Sequence, residues 1–184
     1  LAEMYVQGVS TRKVKAITEQ LCGVNVSSAQ VSPAAAQMDD ELEKWRQRPL
    51  GEYPCLFLNA YYEQVREDGQ VRDMAVLVAI AVTPAGKREI LGVSVSLSEH
   101  EVHWRTFLES LQQRGLGGVQ LITSDDHAGL RAARLAVFGG IPWQRCQFHL
   151  QQNAQAYVPH KALQAEGAED IRTIFNAPDR PTAD

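Results

Sequence analysis

The sequence has few cysteines and no long apolar run. Its three cysteines, Cys22, Cys55 and Cys146, are odd in number and widely spaced, so we expect no disulfide framework and a reducing cytoplasm as the simplest setting. The longest apolar run, residues 74–82, is about half of the roughly 20 residues that a membrane-spanning helix needs. A membrane protein is therefore excluded, and this run is predicted to be a strand.

Positive charge is also scarce, with 18 basic against 22 acidic residues and a formal net charge of −4. A protein that coats nucleic acid through bulk positive charge is therefore not expected, and any DNA contact must come from local basic patches. An initial Met and a signal peptide are absent, so we expect a fragment of a longer chain. The hydrophobic content of 45% suffices for one ordinary domain and a small appendage.

Residues 1–50 have helical periodicity and are predicted to form a small all-α region. Val14, Ile17 and Leu21 fall on one face of a first helix, and a glycine turn separates it from a second helix that begins near residue 28. This arrangement is typical of a helix-turn-helix, in which Ser28 and Gln30 would be presented to the DNA major groove. A helical hairpin without DNA contacts is an equally compatible alternative.

Pro33 conflicts with a long second helix. A proline inside a helix removes a backbone hydrogen bond and clashes with the preceding turn, which costs about 3 kcal/mol. We therefore expect a kinked or shortened second helix and a separate third helix over about residues 34–45. The break that follows, around Pro49 and Gly51, places the domain boundary between residues 50 and 51.

Beyond residue 51 the periodicity becomes that of strands. Segments 55–62, 74–82 and 88–97 are predicted to be antiparallel strands, followed by a helix over 102–114, a strand over 119–123, a helix over 128–137, a strand at Trp143 and a helix over 149–157. The order βββαβαβα predicts an α/β protein with a mixed sheet, which is the element order of the ribonuclease H-like fold. This core is assigned to residues 51–160, with a terminal helix and tail over 161–184.

Asp125 is the main candidate for a functional residue on position alone. It follows the fourth strand, at the carboxyl edge of the sheet, where side chains commonly meet ligands. In the predicted fold the first strand lies next to the fourth and brings Asn59 to the same place. The alternative is that Asp125 only caps the following helix, since aspartate is a common N-cap residue.

Several motifs in a fixed order give a more specific indication. They are residues 58–66 (LNAYYEQVR), 114–119 (RGLGGV), 124–125 (SD), 129–130 (GL) and 143–149 (WQRCQFH). Together they make nearly the whole chain resemble the transposases of Mutator-type bacterial insertion sequences. In the family's first motif an aspartate stands where this sequence has Asn59.

The resemblance implies a DDE transposase that cleaves and transfers DNA strands. Two divalent ions, Mg²⁺ or Mn²⁺, would be held by two aspartates and a glutamate, and the family's glutamate lies further downstream than this sequence reaches. The metal positions here would be Asn59 and Asp125, with Asn59 a poor ligand because an amide lacks the carboxylate's negative charge. The implied partners are double-stranded DNA, as transposon ends and target, and further copies of the chain in a homo-oligomer.

The resemblance also marks Cys146 and His149 as a hallmark beside the active site, where His149 would orient a phosphate or a carboxylate. Packing is the alternative role of Cys146. The C-x-x-H spacing supplies only half of a zinc site, so zinc is not expected.

Four basic residues are candidates for contacts with DNA phosphates. They are Arg12 and Lys13 in the first helix, and Arg131 and Arg134 in the helix after Asp125. Solvated helix faces explain all four equally well.

Two hypotheses about function follow. The first is a transposase whose chemistry is lost through Asn59 and the missing glutamate region. The second is a non-catalytic remnant that binds DNA or oligomerises and so inhibits intact transposase, which Pro33 and Asn59 favour. An ordinary nuclease of the same fold would need a complete carboxylate cluster, which this sequence lacks.

Overall fold

The computed structural model describes residues 19–20, 28–67 and 70–183. The chain divides into two compact units, Leu1–Arg48 and Pro49–Asp184. In the first unit Glu19 and Gln20 are helical, whereas the rest of the predicted first helix, with Arg12 and Lys13, lies outside the described residues.

Helix α1 (Ser28–Gln47) replaces the predicted second and third helices. The expected break at Pro33 is wrong, because the helix is continuous through this residue. Pro33 lies in the second turn, where a proline removes one backbone hydrogen bond, and the alanines and long polar side chains that follow favour helix. Ser28 and Gln30 lie in the first turn of α1, and the environment of their side chains lies outside the described residues.

The second unit contains a five-stranded mixed sheet. Its strands are β1 (Cys55–Glu67), β2 (Gln70–Val82), β3 (Arg88–Ser96), β4 (Leu121–Ser124) and β5 (Trp143–Arg145). They are ordered β3-β2-β1-β4-β5, with β1, β2 and β3 antiparallel and with β4 and β5 parallel to β1. The predicted α/β fold class, a mixed sheet with the connectivity of the ribonuclease H-like fold, is confirmed.

The β1–β2 hairpin is longer than predicted. The strands were expected to end near Tyr62 and to begin near Met74, but their pairing continues to Glu67 and Gln70. The polar residues of this extension gave no alternating pattern, because none of those with a described environment is buried. Backbone hydrogen bonding alone extends the ladder there.

The helices of this unit follow the strands in the predicted order. They are α2 (Glu101–Gln113), α3 (Ala128–Phe138), α4 (Gln147–Gln155), a 3₁₀ turn (Lys161–Leu163), α5 (Gln164–Phe175) and the short α6 (Arg180–Ala183). In the part of the chain that the structure describes, no helix has the length and apolar character needed to cross a membrane.

The hydrophobic core lies between one face of the sheet and helices α2 and α3. Leu56 and Leu58 of β1 are buried there, together with Trp104 and Leu108 of α2 and Leu130 of α3. The inward-facing residues predicted for α2 are confirmed, since Phe107, Leu108 and Leu111 are all buried. We call this side the helical face of the sheet.

Successive side chains of a strand point to opposite sides, so Phe57, Asn59 and Tyr61 project from the other side of β1. Asn59 and Tyr61 are exposed there, as are Val93 and Val95 of β3. We call this side the open face.

Candidate functional site

The parallel pairing of β1 with β4 brings Asn59 and Asp125 together. The register pairs Leu58 with Ser124 as its last step, and Asn59 and Asp125 are the next residue on each chain. Leu58 and Ser124 are both 2% exposed, which fixes their side chains on the helical face and that of Asn59 on the open face. The ends of β1 and β4 that lead to these two residues are thus neighbours in the sheet.

Both side chains are engaged by the backbone amide of the residue that follows. Asn59 Oδ1 accepts a hydrogen bond from the Ala60 N–H at 3.0 Å. Asp125 Oδ1 accepts one from the Asp126 N–H at 2.7 Å. Within the described residues the other carboxylate oxygen of Asp125 accepts no hydrogen bond, so it is available to a ligand.

Asp125 does not cap helix α3. The helix begins at Ala128, and its N-cap residue is His127, which makes no side-chain capping hydrogen bond. The alternative role considered for Asp125 therefore does not account for its position.

A set of hydrogen bonds centred on Ser124 holds the backbone at Asp125. The Ser124 hydroxyl donates to the Asp125 carbonyl oxygen at 2.8 Å and accepts from the Trp143 indole N–H at 2.9 Å. The Cys146 N–H donates to the Ser124 carbonyl oxygen at 2.7 Å. These bonds tie the end of β4 to β5 and to the start of α4.

Close packing of α3 against the segment before α2 also positions this region. A Cβ on Gly129 would lie 2.1 Å from the Glu99 carbonyl oxygen, so only glycine allows this approach. His127, at the start of α3, has Nδ1 4.0 Å from a Glu99 carboxylate oxygen. The sequence marked Gly129 as part of a motif but gave no reason for it, and close backbone approach supplies one.

A cavity of about 330 Å³ opens beside Asn59. Its lining includes Cys146 and His149, so the structure brings the predicted hallmark pair and Asn59 to one place. His149 Nδ1 is enclosed and has no hydrogen-bond partner among the described residues. Its ring meets that of Phe148 edge-on, with 5.4 Å between the ring centroids.

Arg88 lines the same cavity and was missed by sequence reasoning. It is the first residue of β3 and belongs to no motif, and its place follows only from the register of β3 with β2.

The donor set was tested against the two-ion centre that the resemblance implies. Within the described residues no group of three or more histidine, cysteine, aspartate or glutamate side chains lies close enough to hold a metal ion. Asn59 and Asp125 offer one amide oxygen and one carboxylate, whereas two divalent ions about 4 Å apart call for several negative ligands. The described residues therefore do not fit a two-ion centre.

The basic residues of α3 differ in environment. Arg131 is exposed, as a contact with DNA would require. Arg134 is only 7% exposed, so its interpretation as part of a solvated helix face is wrong. Its guanidinium carbon lies 5.2 Å from the centre of the Trp143 ring, which covers it.

Comparisons with known proteins identify the family. The model of the Mutator family of transposases matches residues 1–184. The transposase for insertion sequence element IS406 of Burkholderia multivorans is 57% identical over 186 residues, covering 100% of this chain and 48% of its own length. The transposase for IS256 in transposon Tn4001 of Staphylococcus aureus is 40% identical, covering 97% of this chain and 46% of its own.

The chain thus spans about half the length of the curated relatives that it matches. Among solved structures, the catalytic core domain of HTLV-2 integrase, in a complex with magnesium, matches 72% of this chain and 90% of its own, with 13% identity and a TM-score of 0.30. The family model and the curated relatives are sufficient to conclude that the chain belongs to the Mutator family of transposases.

Proposed function

We propose that this chain is part of an insertion-sequence transposase, that it binds double-stranded DNA, and that Asn59 prevents it from cleaving and transferring DNA strands. Family membership supports the role in transposition. One observation supports the loss of chemistry, namely the register that places Asn59 and Asp125 next in line after the last paired residues of two neighbouring strands.

The physical argument concerns charge. Mg²⁺ and Mn²⁺ prefer carboxylate oxygens, and a neutral amide at residue 59 leaves Asp125 as the one negative ligand of the pair. The Asn59 amide oxygen also accepts the Ala60 N–H, which weakens it further as a ligand. An aspartate at residue 59 would add the missing charge without a change in side-chain size.

The same proposal assigns roles to the rest of the chain. Residues 1–50 would recognise transposon ends as a helix-turn-helix-like region, residues 51–160 would form the catalytic core, and residues 161–184 would begin an inserted region. His149 would orient a phosphate or carboxylate beside Asn59, and Arg12, Lys13, Ser28, Gln30 and Arg131 would contact DNA. The protein would act as a homo-oligomer in the cytoplasm.

The test measures Mn²⁺ binding to the chain and to Asn59→Asp by isothermal titration calorimetry. We expect Asn59→Asp to bind Mn²⁺ at least about tenfold more tightly, because a second carboxylate joins the site. Asn176→Asp, which adds the same charge at an exposed position after α5, is the matched control. Equal affinities of the two variants would overturn the assignment of residue 59 as a metal position.

A second candidate function is that of a non-catalytic inhibitor that occupies DNA or joins oligomers of intact transposase. The exposure of Asn59 favours it, since the side chain lies outside the core and the fold does not need a carboxylate at this position. The test is to add the chain to an intact Mutator-family transposase and to measure DNA cleavage. Inhibition by the chain and by Asn59→Asp alike supports this role, whereas unchanged cleavage excludes it.

A further inference from the structure

Arg134 is a buried cation without a counter-ion. It is 7% exposed, and within the described residues no carboxylate oxygen lies within salt-bridge distance of its guanidinium. Its Nε is enclosed and has no hydrogen-bond partner there. Burial of part of a charged side chain without a partner is unfavourable, so an anion beside Arg134 would stabilise it.

The charges around Arg134 also favour an anion beside it. Burial is the main factor that lowers the pKa of Arg134, and the positive charge of Arg131 lowers it further. The negative charge of Asp126 raises the pKa of Arg134, but Asp126 does not contact the guanidinium. The local balance therefore leaves positive charge uncompensated in a protein whose overall charge is negative.

A second arginine without a hydrogen-bond partner for its Nε lies on the same side of the sheet. Arg145 follows Trp143 by two positions in β5, so both side chains project toward the helical face. The Nε of Arg145 is also enclosed without a partner among the described residues. Arg145 lines a recess of about 490 Å³ that Asn153 and Tyr157 of the α4 region share.

The β5 border of the sheet is open to a large ligand. Strand β5 ends the order of the described strands, and β4, which leads into Asp125, is its neighbour. Exposed Arg131 lies one turn before Arg134 on α3. Three guanidinium groups at this border favour phosphate over a single carboxylate, because guanidinium forks match phosphate oxygens and a phosphodiester chain offers repeated charges.

We propose that Arg134 and Arg145 bind a backbone phosphate of DNA on the helical face of the sheet at its β5 border. This inference rests on the proposed function in one respect, that DNA is the substrate. The contact fixes the path of the DNA beside Asp125 and carries no sequence information. Trp143 holds the Arg134 guanidinium in place by stacking on it.

The test measures binding of the chain to a fluorescein-labelled duplex of arbitrary sequence, by anisotropy, between about 50 and 200 mM salt. The variants are Arg134→Met and Arg145→Met, with Arg72→Met as the control, since Arg72 is an exposed arginine in the β1–β2 hairpin. We expect each of the first two changes to weaken binding at least about fivefold and to reduce the salt slope by about 1. Arg72→Met is expected to change neither.

Two controls distinguish a loss of DNA binding from a loss of folding. They are the variant Arg134→Lys and the thermal unfolding of Arg134→Met. Lysine keeps the charge but not the fork, so it should restore the salt slope more fully than the affinity. A native-like unfolding midpoint for Arg134→Met establishes that this variant is folded. If both methionine variants bind and respond to salt as Arg72→Met does, the phosphate site is overturned while DNA binding by the chain stands.

Two further outcomes also overturn the proposal. If the chain does not bind the duplex but inorganic phosphate raises its unfolding midpoint, and not that of Arg134→Met, the site takes free phosphate and the proposed DNA binding fails. If Arg134→Met leaves DNA binding unchanged but abolishes self-association in sedimentation, a carboxylate of a second copy fills the site instead.

Discussion

The two faces of the sheet beside Asp125 differ in charge and in burial. On the open face Asn59 is exposed and uncharged. On the helical face Arg134 is buried and charged, without an acid against it among the described residues. Under the proposed function, the open face lacks a negative charge that metal binding would need, whereas the helical face has a positive charge that its packing does not explain.

The end of β4, a strand of four residues, places successive side chains in two different environments. Ser124 points into the core and bonds with Trp143, while Asp125, one residue later, is half-buried at the open edge. Because successive side chains of a strand point to opposite faces, a core residue and a candidate site residue can be neighbours in the sequence. Substitution of Ser124 should therefore change stability, whereas substitution of Asp125 should change ligand binding.

The largest effect is expected from Gly129→Ala. The added Cβ would meet the Glu99 carbonyl oxygen at 2.1 Å, so α3 must move away from the segment before α2. We expect a loss of about 3 kcal/mol or more in the free energy of unfolding, measured with urea. Gly140→Ala is the control, since nothing lies within 4 Å of the position that its Cβ would take. Equal stabilities of the two variants would contradict the close packing.

Ser124→Ala should have the next largest effect. The change leaves the Trp143 indole N–H without its acceptor and removes the bond to the Asp125 carbonyl. We expect a loss of about 1–3 kcal/mol in unfolding free energy. Ser110→Ala, which removes only a bond to a carbonyl of its own helix, should lose less. Equal losses of unfolding free energy in the two variants would mean that the bond between Ser124 and Trp143 adds nothing to stability.

Arg134→Met should leave stability unchanged or raise it by about 1 kcal/mol, since an uncompensated buried cation is replaced by an apolar chain of similar length. The measurement is chemical denaturation without DNA or phosphate. A loss of more than about 2 kcal/mol would mean that an acid within the chain already balances Arg134.

The smallest effect on stability is expected from Asn59→Asp, at within about 0.5 kcal/mol. Asn59 is exposed, and an aspartate oxygen can accept the Ala60 N–H as the amide oxygen does. Urea denaturation in the absence of divalent ions checks this. A large loss would place residue 59 in the packing of the fold rather than in the chemistry of the open face.

Much of the fold could be predicted, because hydrophobic alternation and turn residues mark the strands directly. The inward side of α2 was predicted for the same reason, since Phe107, Leu108 and Leu111 repeat at helical spacing. The continuous helix through Pro33 was not predicted. Whether a proline breaks a helix depends on the lost hydrogen bond and on the helix preference of the whole segment around it.

The candidate site was predicted only in part. Motif order pointed to Asn59, Asp125 and His149, and strand pairing puts the first two next to each other. Arg88 and the burial of Arg134 gave no local signal. Both depend on which elements pack together, and spacing along one element does not encode that.

Residue types and their spacing were enough to indicate the family and the order of strands and helices. These are properties of residue type and spacing, which local periodicity and motif order record. Three features emerge only from the folded chain: Asp125 does not cap α3, Gly129 permits a close backbone contact, and Arg134 is buried beneath Trp143. Each of these depends on contacts between residues distant in the chain, where burial and desolvation decide what a side chain does.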